Sequence, residues 1–168
     1  MRFWLDCVPS SSTSQGKRAN FTTGHFFKDK KEESWTQFLT GLLAPHKPLE
    51  PLTGPLTLKI TYVWPLTAGD QSTKAKRAAL DECPLIWHEQ KPDWDNAPKS
   101  LVDVMAKLGF FVEDKQIVRA TVTKTRGRKT GILISLESTG YLLRWVEDDI
   151  LKAIIGDDHY DDHAGVTE

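Results

Sequence analysis

Leu56-Thr-Leu-Lys-Ile-Thr-Tyr-Val-Trp64 alternates large apolar side chains with Thr and Lys. Successive side chains of a strand point to opposite faces, so Leu56, Leu58, Ile60, Tyr62 and Trp64 share one face and Thr57, Lys59 and Thr61 the other. The spacing predicts a strand with one buried face, and such a face needs helices laid against it. Two helical patterns flank the strand. On its N-terminal side Trp35, Phe38, Leu39, Leu42 and Leu43 recur at helical spacing, and the pairs Asp29 with Glu32 and Ser34 with Gln37 both fit a capping box. They predict a helix over about residues 30–44 that stops at Pro45. On its C-terminal side Leu101, Val102, Met105 and Leu108 mark one face of a second helix, which starts near Pro98 and ends at Gly109.

Three weaker strands complete the pattern. Residues 2–8 read as a short N-terminal strand, followed by a small-residue loop over 9–16. Residues 116–124 place Val118, Ala120 and Val122 on one face and Arg119, Thr121 and Thr123 on the other, and residues 131–137 form a partner strand. The basic turn Lys124-Thr-Arg-Gly-Arg-Lys129 is expected to join these two as a hairpin. Residues 65–90 lose all periodicity and read as a mobile connection containing a short basic helix at Thr73-Lys-Ala-Lys-Arg-Ala-Ala-Leu80. Beyond residue 140, Leu142, Leu143, Val146, Ile150 and Ile154 predict an amphipathic helix, with Thr139 as its cap, before an acidic tail expected to be disordered. The expected fold is therefore α+β, a small mixed sheet with packed helices over residues 1–140, with residues 141–168 as an appended helix and tail.

The 168 residues are 39% hydrophobic and 27% charged, an ordinary composition for one globular domain. Only Cys7 and Cys83 are present, without a C-x-x-C pair, so neither a disulfide framework nor a zinc cage is encoded. No apolar run approaches the length of a membrane span and the N-terminus carries no signal-peptide pattern, so a cytoplasmic protein is expected. The net charge of −1 hides an asymmetry. Residues 1–146 carry a surplus of six positive charges, whereas residues 147–168 hold one Lys against eight acids. A basic body attracts polyanions, and the acidic tail either shields that surface or serves solubility. His159 and His163 stand four apart within the tail, a spacing that binds metal on a helix but is outweighed here by the dense charge.

Chemistry concentrates in Asp93-Trp-Asp95. If extended, the segment projects both carboxylates from one face. Lys99 follows at the start of the second helix, and beyond that helix Glu113-Asp114 adds two acids where the chain can fold back toward the first pair. Converging carboxylates repel unless a cation neutralises them, and their hard oxygens suit Mg²⁺ or Mn²⁺. The competing reading makes Asp95 or Asn96 a helix N-cap and the segment ordinary turn chemistry. Trp94, between the acids, either anchors the segment or stacks on an unpaired base.

The longer string Lys91-Pro-Asp-Trp-Asp-Asn-Ala-Pro-Lys99, then Asp103, then Gly109-Phe-Phe-Val-Glu-Asp-Lys-Gln-Ile117 resembles the RusA family of Holliday junction resolvases. That family carries a K-P-D-x-D-N-x-x-K segment, a helix with a further aspartate, and a G-(aromatic)-x-x-D-D-x-Q-[IV] segment before a strand and a basic hairpin. The resemblance is close over residues 91–124 and looser over residues 1–90. It implies a homodimer that cuts two strands of a four-way junction symmetrically with Mg²⁺, in a bacterial or phage setting. It further implies Asp93, Asp95 and Asp114 as metal-binding catalytic acids and Lys99 as the lysine that assists phosphate or water. Glu113 stands where the family pattern most often has aspartate. Glu113 and Asp103 are candidates for the outer shell of the metal.

The candidate DNA contacts are Lys74, Lys76, Arg77, Lys91, Arg119, Lys124, Arg126, Arg128 and Lys129, with Arg126 and Arg128 the favoured pair. Two rivals to the resolvase reading are a non-catalytic branched-DNA-binding protein on the same scaffold and a broader flap or branched-DNA endonuclease.

Overall fold

In a computed structural model of the chain, residues 1–11, 17–19, 26–28 and 30–141 are described, with side chains for 1–11 and 33–141. The expected C-terminal helix, the acidic tail, His159 and His163, and the Asp29 cap lie outside the described residues.

The alternating stretch forms β4 (Leu56–Pro65), the centre of a five-stranded mixed sheet. Its neighbours are β6 (Ile117–Gly127), which runs parallel, and β7 (Gly131–Ser138), which runs antiparallel. Outside these lie β1 (Arg2–Leu5) against β7 and β5 (Leu85–Trp87) against β6. The order is thus β1-β7-β4-β6-β5. A separate two-stranded ribbon pairs β2 (Lys17–Ala19) with β3 (Phe26–Lys28), beyond the loop expected over residues 9–16 and in a stretch whose sequence shows no strand pattern.

Helices α1 (Lys30–Leu43) and α3 (Lys99–Leu108) match the predicted spans closely and contact each other. A 3-10 turn over Ala44–His46 absorbs Pro45 and ends the first helix. Ser34 and Gln37 lie inside α1, so this pair is not a capping box. The α3 C-cap is Gly109, in the left-handed region at φ 80°. The helices cover the apolar face of the sheet: Leu39 and Leu43 of α1 and Leu101, Val104 and Met105 of α3 are buried with Leu58, Ile60, Tyr62, Ile132, Ile134 and Leu136. On the opposite face the register aligns Lys59 with Ser135 and Thr121, and Thr61 with Leu133 and Thr123.

Four expectations require correction. The strands after α3 do not form a hairpin, because β4 lies between them and takes the backbone hydrogen bonds of both. Strand β6 also continues to Gly127, so Lys124 and Arg126 are strand residues and the connection shrinks to residues 128–130. Gly131 permits the close passage that follows: a Cβ there would overlap the Trp4 indole and lie 2.6 Å from the Leu5 carbonyl. The expected short basic helix is present as α2 (Lys74–Glu82), capped by Thr73, but the stretch around it is structured as well, with a 3-10 turn at Ala68–Gln71 and edge strand β5. The N-terminal strand ends at Leu5 rather than at residue 8.

Candidate active site

The segment holding the first two acids is a turn, not an extended piece. The Asp93 carbonyl accepts from the amides of Asn96 (3.1 Å) and Ala97 (2.9 Å), which brings the chain round into α3. Tyr62 Oη, at the C-terminal half of β4, donates to the Ala97 carbonyl at 3.0 Å and ties the turn to the sheet. The N-cap of α3 is Pro98, without a side-chain cap bond, so neither Asp95 nor Asn96 caps the helix. Asn96 Oδ1 instead accepts from Lys99 Nζ at 2.8 Å. Asp93, Trp94 and Asp95 are exposed, and neither carboxylate bonds another described residue.

The chain leading into this turn is held from behind. Lys124 Nζ donates to the carbonyls of Gln90 (2.7 Å) and Pro92 (2.5 Å), and His88 Nε2 donates to that of Lys91 (3.2 Å). Three successive carbonyls immediately before Asp93 are therefore engaged by two side chains. The His88 amide also bonds the Lys124 carbonyl (3.0 Å), and its ring stacks on Trp64 at 4.3 Å. Burial, followed by the nearby charges of Lys124 and Arg126, holds the His88 imidazole below its ordinary pKa despite the bond to Lys91, so it is neutral at pH 7. Its Nδ1 is buried without a partner.

Asp114 opens a 3-10 turn (Asp114–Gln116) between α3 and β6 and is exposed. Gln116 builds this turn. Its Oε1 accepts from the amides of Val112 (2.8 Å) and Glu113 (2.9 Å), while its Nε2 donates to the carbonyls of Leu52 (3.1 Å) and Gly54 (3.0 Å). Glu113 pairs with Lys115 at 2.5 Å on the surface, which raises the lysine's pKa. Asp103 lies exposed on α3, four residues after Lys99.

The expected convergence of acids does not occur within one chain. Asp93 and Asp95 sit beside Lys124, whereas Asp114 precedes Ile117 at the other end of the same strand. Six or seven strand residues at ~3.3 Å each place the two ends about 20 Å apart, and α3, which joins them, is itself ~15 Å long. Among the described residues no group of three or more His, Cys, Asp or Glu is gathered to hold an ion. A three-carboxylate cation site does not fit a single chain.

The candidate DNA contacts divide. Lys124 braces the acidic turn. Arg126 pairs with Asp70 at 3.3 Å, largely buried, and Arg128 pairs with Asp81 on the surface. Lys76 and Arg77 bond the carbonyls of Gly69 (2.8 Å) and Gln71 (2.7 Å), and Lys129 lies 5.2 Å from the centre of the Trp4 ring. Lys74, Lys91 and Arg119 are exposed. The braces were legible in part: Lys124 and Arg126 fall in phase with Val122, which packs against the core, and on that face a cation needs a partner. Gln116 stood in the family pattern without a role, and nothing in the sequence singled out His88 or the hydroxyl of Tyr62.

The sequence matches the family described as Endodeoxyribonuclease RusA over residues 7–137. It is 26% identical over 136 residues to the crossover junction endodeoxyribonuclease rusA of Lactococcus phage r1t, covering 80% of this chain and 93% of that protein. It is also 24% identical over 127 residues to the uncharacterized protein YqaN of Bacillus subtilis strain 168, covering 71% of this chain and 88% of the relative. Among the described residues no helix is long and apolar enough to cross a membrane.

Proposed function

The chain belongs to the endodeoxyribonuclease RusA family, and from that premise we propose that it resolves four-way DNA junctions by paired, symmetric phosphodiester cleavage. The observation that carries the reading is the exposed Asp93-Trp94-Asp95 turn, fixed from behind by Lys124, His88 and Tyr62 yet bonded to nothing described on its open side. Two exposed carboxylates two residues apart, on a turn tied to the sheet at its base, are placed to reach one ligand together. A protein that only bound DNA would gain affinity by losing both charges.

Because one chain does not gather the acids, we assign the working unit to a homodimer in which Asp93 and Asp95 of one copy meet Asp114 of the other. A dyad that creates two such sites suits a junction with two-fold symmetry. The donor set, oxygen only, suits Mg²⁺, with Mn²⁺ as a substitute, and a bound cation would supply charge neutralisation at the phosphate and a more acidic water. Lys99, held near the turn by Asn96, supplies positive charge for the phosphoryl oxygens. The catalytic unit is residues 1–140, with 141–168 as an appendage, and the setting is the cytoplasm of a bacterium or its phage.

The test is cleavage of a labelled four-way junction and a matched linear duplex, with Mg²⁺ or with EDTA, by the parent chain and by Asp93→Asn. Paired nicks confined to the junction, abolished by EDTA and in the variant while binding persists, support the reading. Tight junction binding without cleavage makes the protein a non-catalytic binder, and equal cutting of flaps or duplex makes it a broader endonuclease.

A further inference from the structure

We propose that Lys124 is a positioning residue for the acidic turn rather than a DNA contact, and that with His88 it forms a clamp on the three carbonyls that precede Asp93. This deepens the junction-nuclease reading and, for its catalytic part, rests on it.

The argument begins with phase. Lys124 is the Cα partner of Tyr62 across the parallel β4–β6 ladder, so its side chain leaves the sheet on the same side as Tyr62, the side covered by α3. From there its ammonium reaches the carbonyls of Gln90 and Pro92. Charge-assisted hydrogen bonds of this kind are about twice as strong as neutral ones. The carbonyl between them, Lys91, is taken by His88, which is itself fixed by its stack on Trp64 and by its amide bond to the Lys124 carbonyl. Downstream, Tyr62 holds Ala97. The backbone is thus gripped on both sides of Asp93-Trp94-Asp95, from two adjacent residues of one ladder rung, while the acids stay exposed.

A loop gripped in this way is rigid at its base, and rigidity there fixes where the carboxylates lie. Displacement of a reacting group by about 1 Å costs on the order of 100-fold in rate. A lysine spent on two carbonyls has little left to offer a phosphate. Lys124 should therefore act on the chemical step, not on affinity.

The experiment compares the parent chain with Lys124→Met and Lys124→Arg. The first readout needs no activity: hydrogen exchange of the Asn96 and Ala97 amides, both bonded to the Asp93 carbonyl, in the DNA-free protein. In Lys124→Met these amides should exchange about tenfold faster or more, with the β4 and β7 amides unchanged, because the opening is local. The second readout is single-turnover junction cleavage at saturating protein together with junction affinity at several salt concentrations. Cleavage should fall about 10- to 100-fold in Lys124→Met, affinity and its salt slope should hold, and Lys124→Arg should restore part of the rate. Unchanged exchange at Asn96 and Ala97, or weaker binding with a salt slope reduced by about one and an intact rate at saturation, overturns the proposal. If Lys124→Met fails to fold, Lys124→Gln carries the same comparison. Faster exchange in a protein whose parent form cuts no DNA retains the clamp and rejects the nuclease reading.

Discussion

Arg126 Nη2 lies 3.3 Å from Asp70 Oδ1, with the two side chains only 16% and 13% exposed, so a residue that sequence placed on DNA is tied to the 3-10 turn after β4. Asp70 also accepts from the backbone amide and hydroxyl of Thr67, both at 2.8 Å. The Thr67 amide first, and then its hydroxyl and Arg126, hold the Asp70 carboxyl below its ordinary 3.8 against the cost of burial. Such a group binds fewer protons in the folded than in the unfolded state. Its stabilisation is complete above pH 3.8 and is lost as pH falls through the lower folded value. Asp70→Asn should cost about 1–3 kcal/mol at pH 7, and urea denaturation from pH 5 down to pH 2 should show the parent and variant converging. A difference that persists undiminished to pH 2 would show that the carboxylate charge is not what holds the turn.

His88 has the opposite chemistry and the same pH sign. Desolvation lowers its pKa below 6.5, with Lys124 and Arg126 pushing the same way and the Lys91 carbonyl and Asp70 opposing them. The folded state then binds fewer protons than the unfolded state between the two values, so stability falls as pH drops from about 7 through 6.5 toward the folded value. His88→Gln, which cannot charge, should flatten that slope. Thermal melts from pH 8 to pH 5 check this, and an identical slope in both proteins would place the loss elsewhere.

Two glycines separate torsional from steric cost. Gly109, at φ 80°, has only ordinary contacts awaiting a Cβ, the nearest being Lys47 Cε at 3.7 Å. Gly109→Ala should cost about 1–2 kcal/mol, the penalty of the left-handed backbone. Gly131→Ala must displace the Trp4 indole and crowd the Leu5 carbonyl, and should cost about 3 kcal/mol or more. Chemical denaturation of both variants gives the ranking directly.

A shared site makes a prediction that a single-chain site does not. Asp93→Asn and Asp114→Asn should each be inactive alone. Mixed after denaturation and refolding, they should recover cleavage, because a heterodimer then contains one site with Asp93, Asp95 and Asp114 all intact. That site nicks one strand rather than two. With one variant carrying an affinity tag, so that heterodimers can be isolated, heterodimers that stay inactive would place all the acids of a site in one chain.

Periodicity revealed β4, α1 and α3 because each buries one continuous face, and alternation of Leu, Ile and Tyr or a stripe of Leu and Met records that face directly. Pairing was less legible. The alternation of β6 and β7 is the same whether they face each other or flank a third strand, and only the central, doubly paired position of β4 decides it. Strand β5 escaped notice because it has three residues, two of them largely exposed, and follows Pro84. In the candidate site the motif residues were recognisable, but their distance was not. Nothing in the spacing of Asp95 and Asp114 says that α3 and β6 run antiparallel and carry the acids to opposite ends.

The position of β7 bears on how the chain acquires its structure. It is the last described strand in sequence, yet it lies between β1 and β4, pairing Phe3 with Ile134 and Ile60 with the same Ile134. During synthesis at about 5–20 residues per second, β1 and β4 must wait while the later strand is made. For roughly 4–15 s after β4 is complete, its apolar face and its free edge are available to any other strand or to a chaperone. Folding cannot begin at the N-terminus and proceed in order, and its rate should be set by long-range closure of the sheet. A nascent nuclease of this topology cannot reach its DNA-cutting form until almost the whole described chain has left the ribosome.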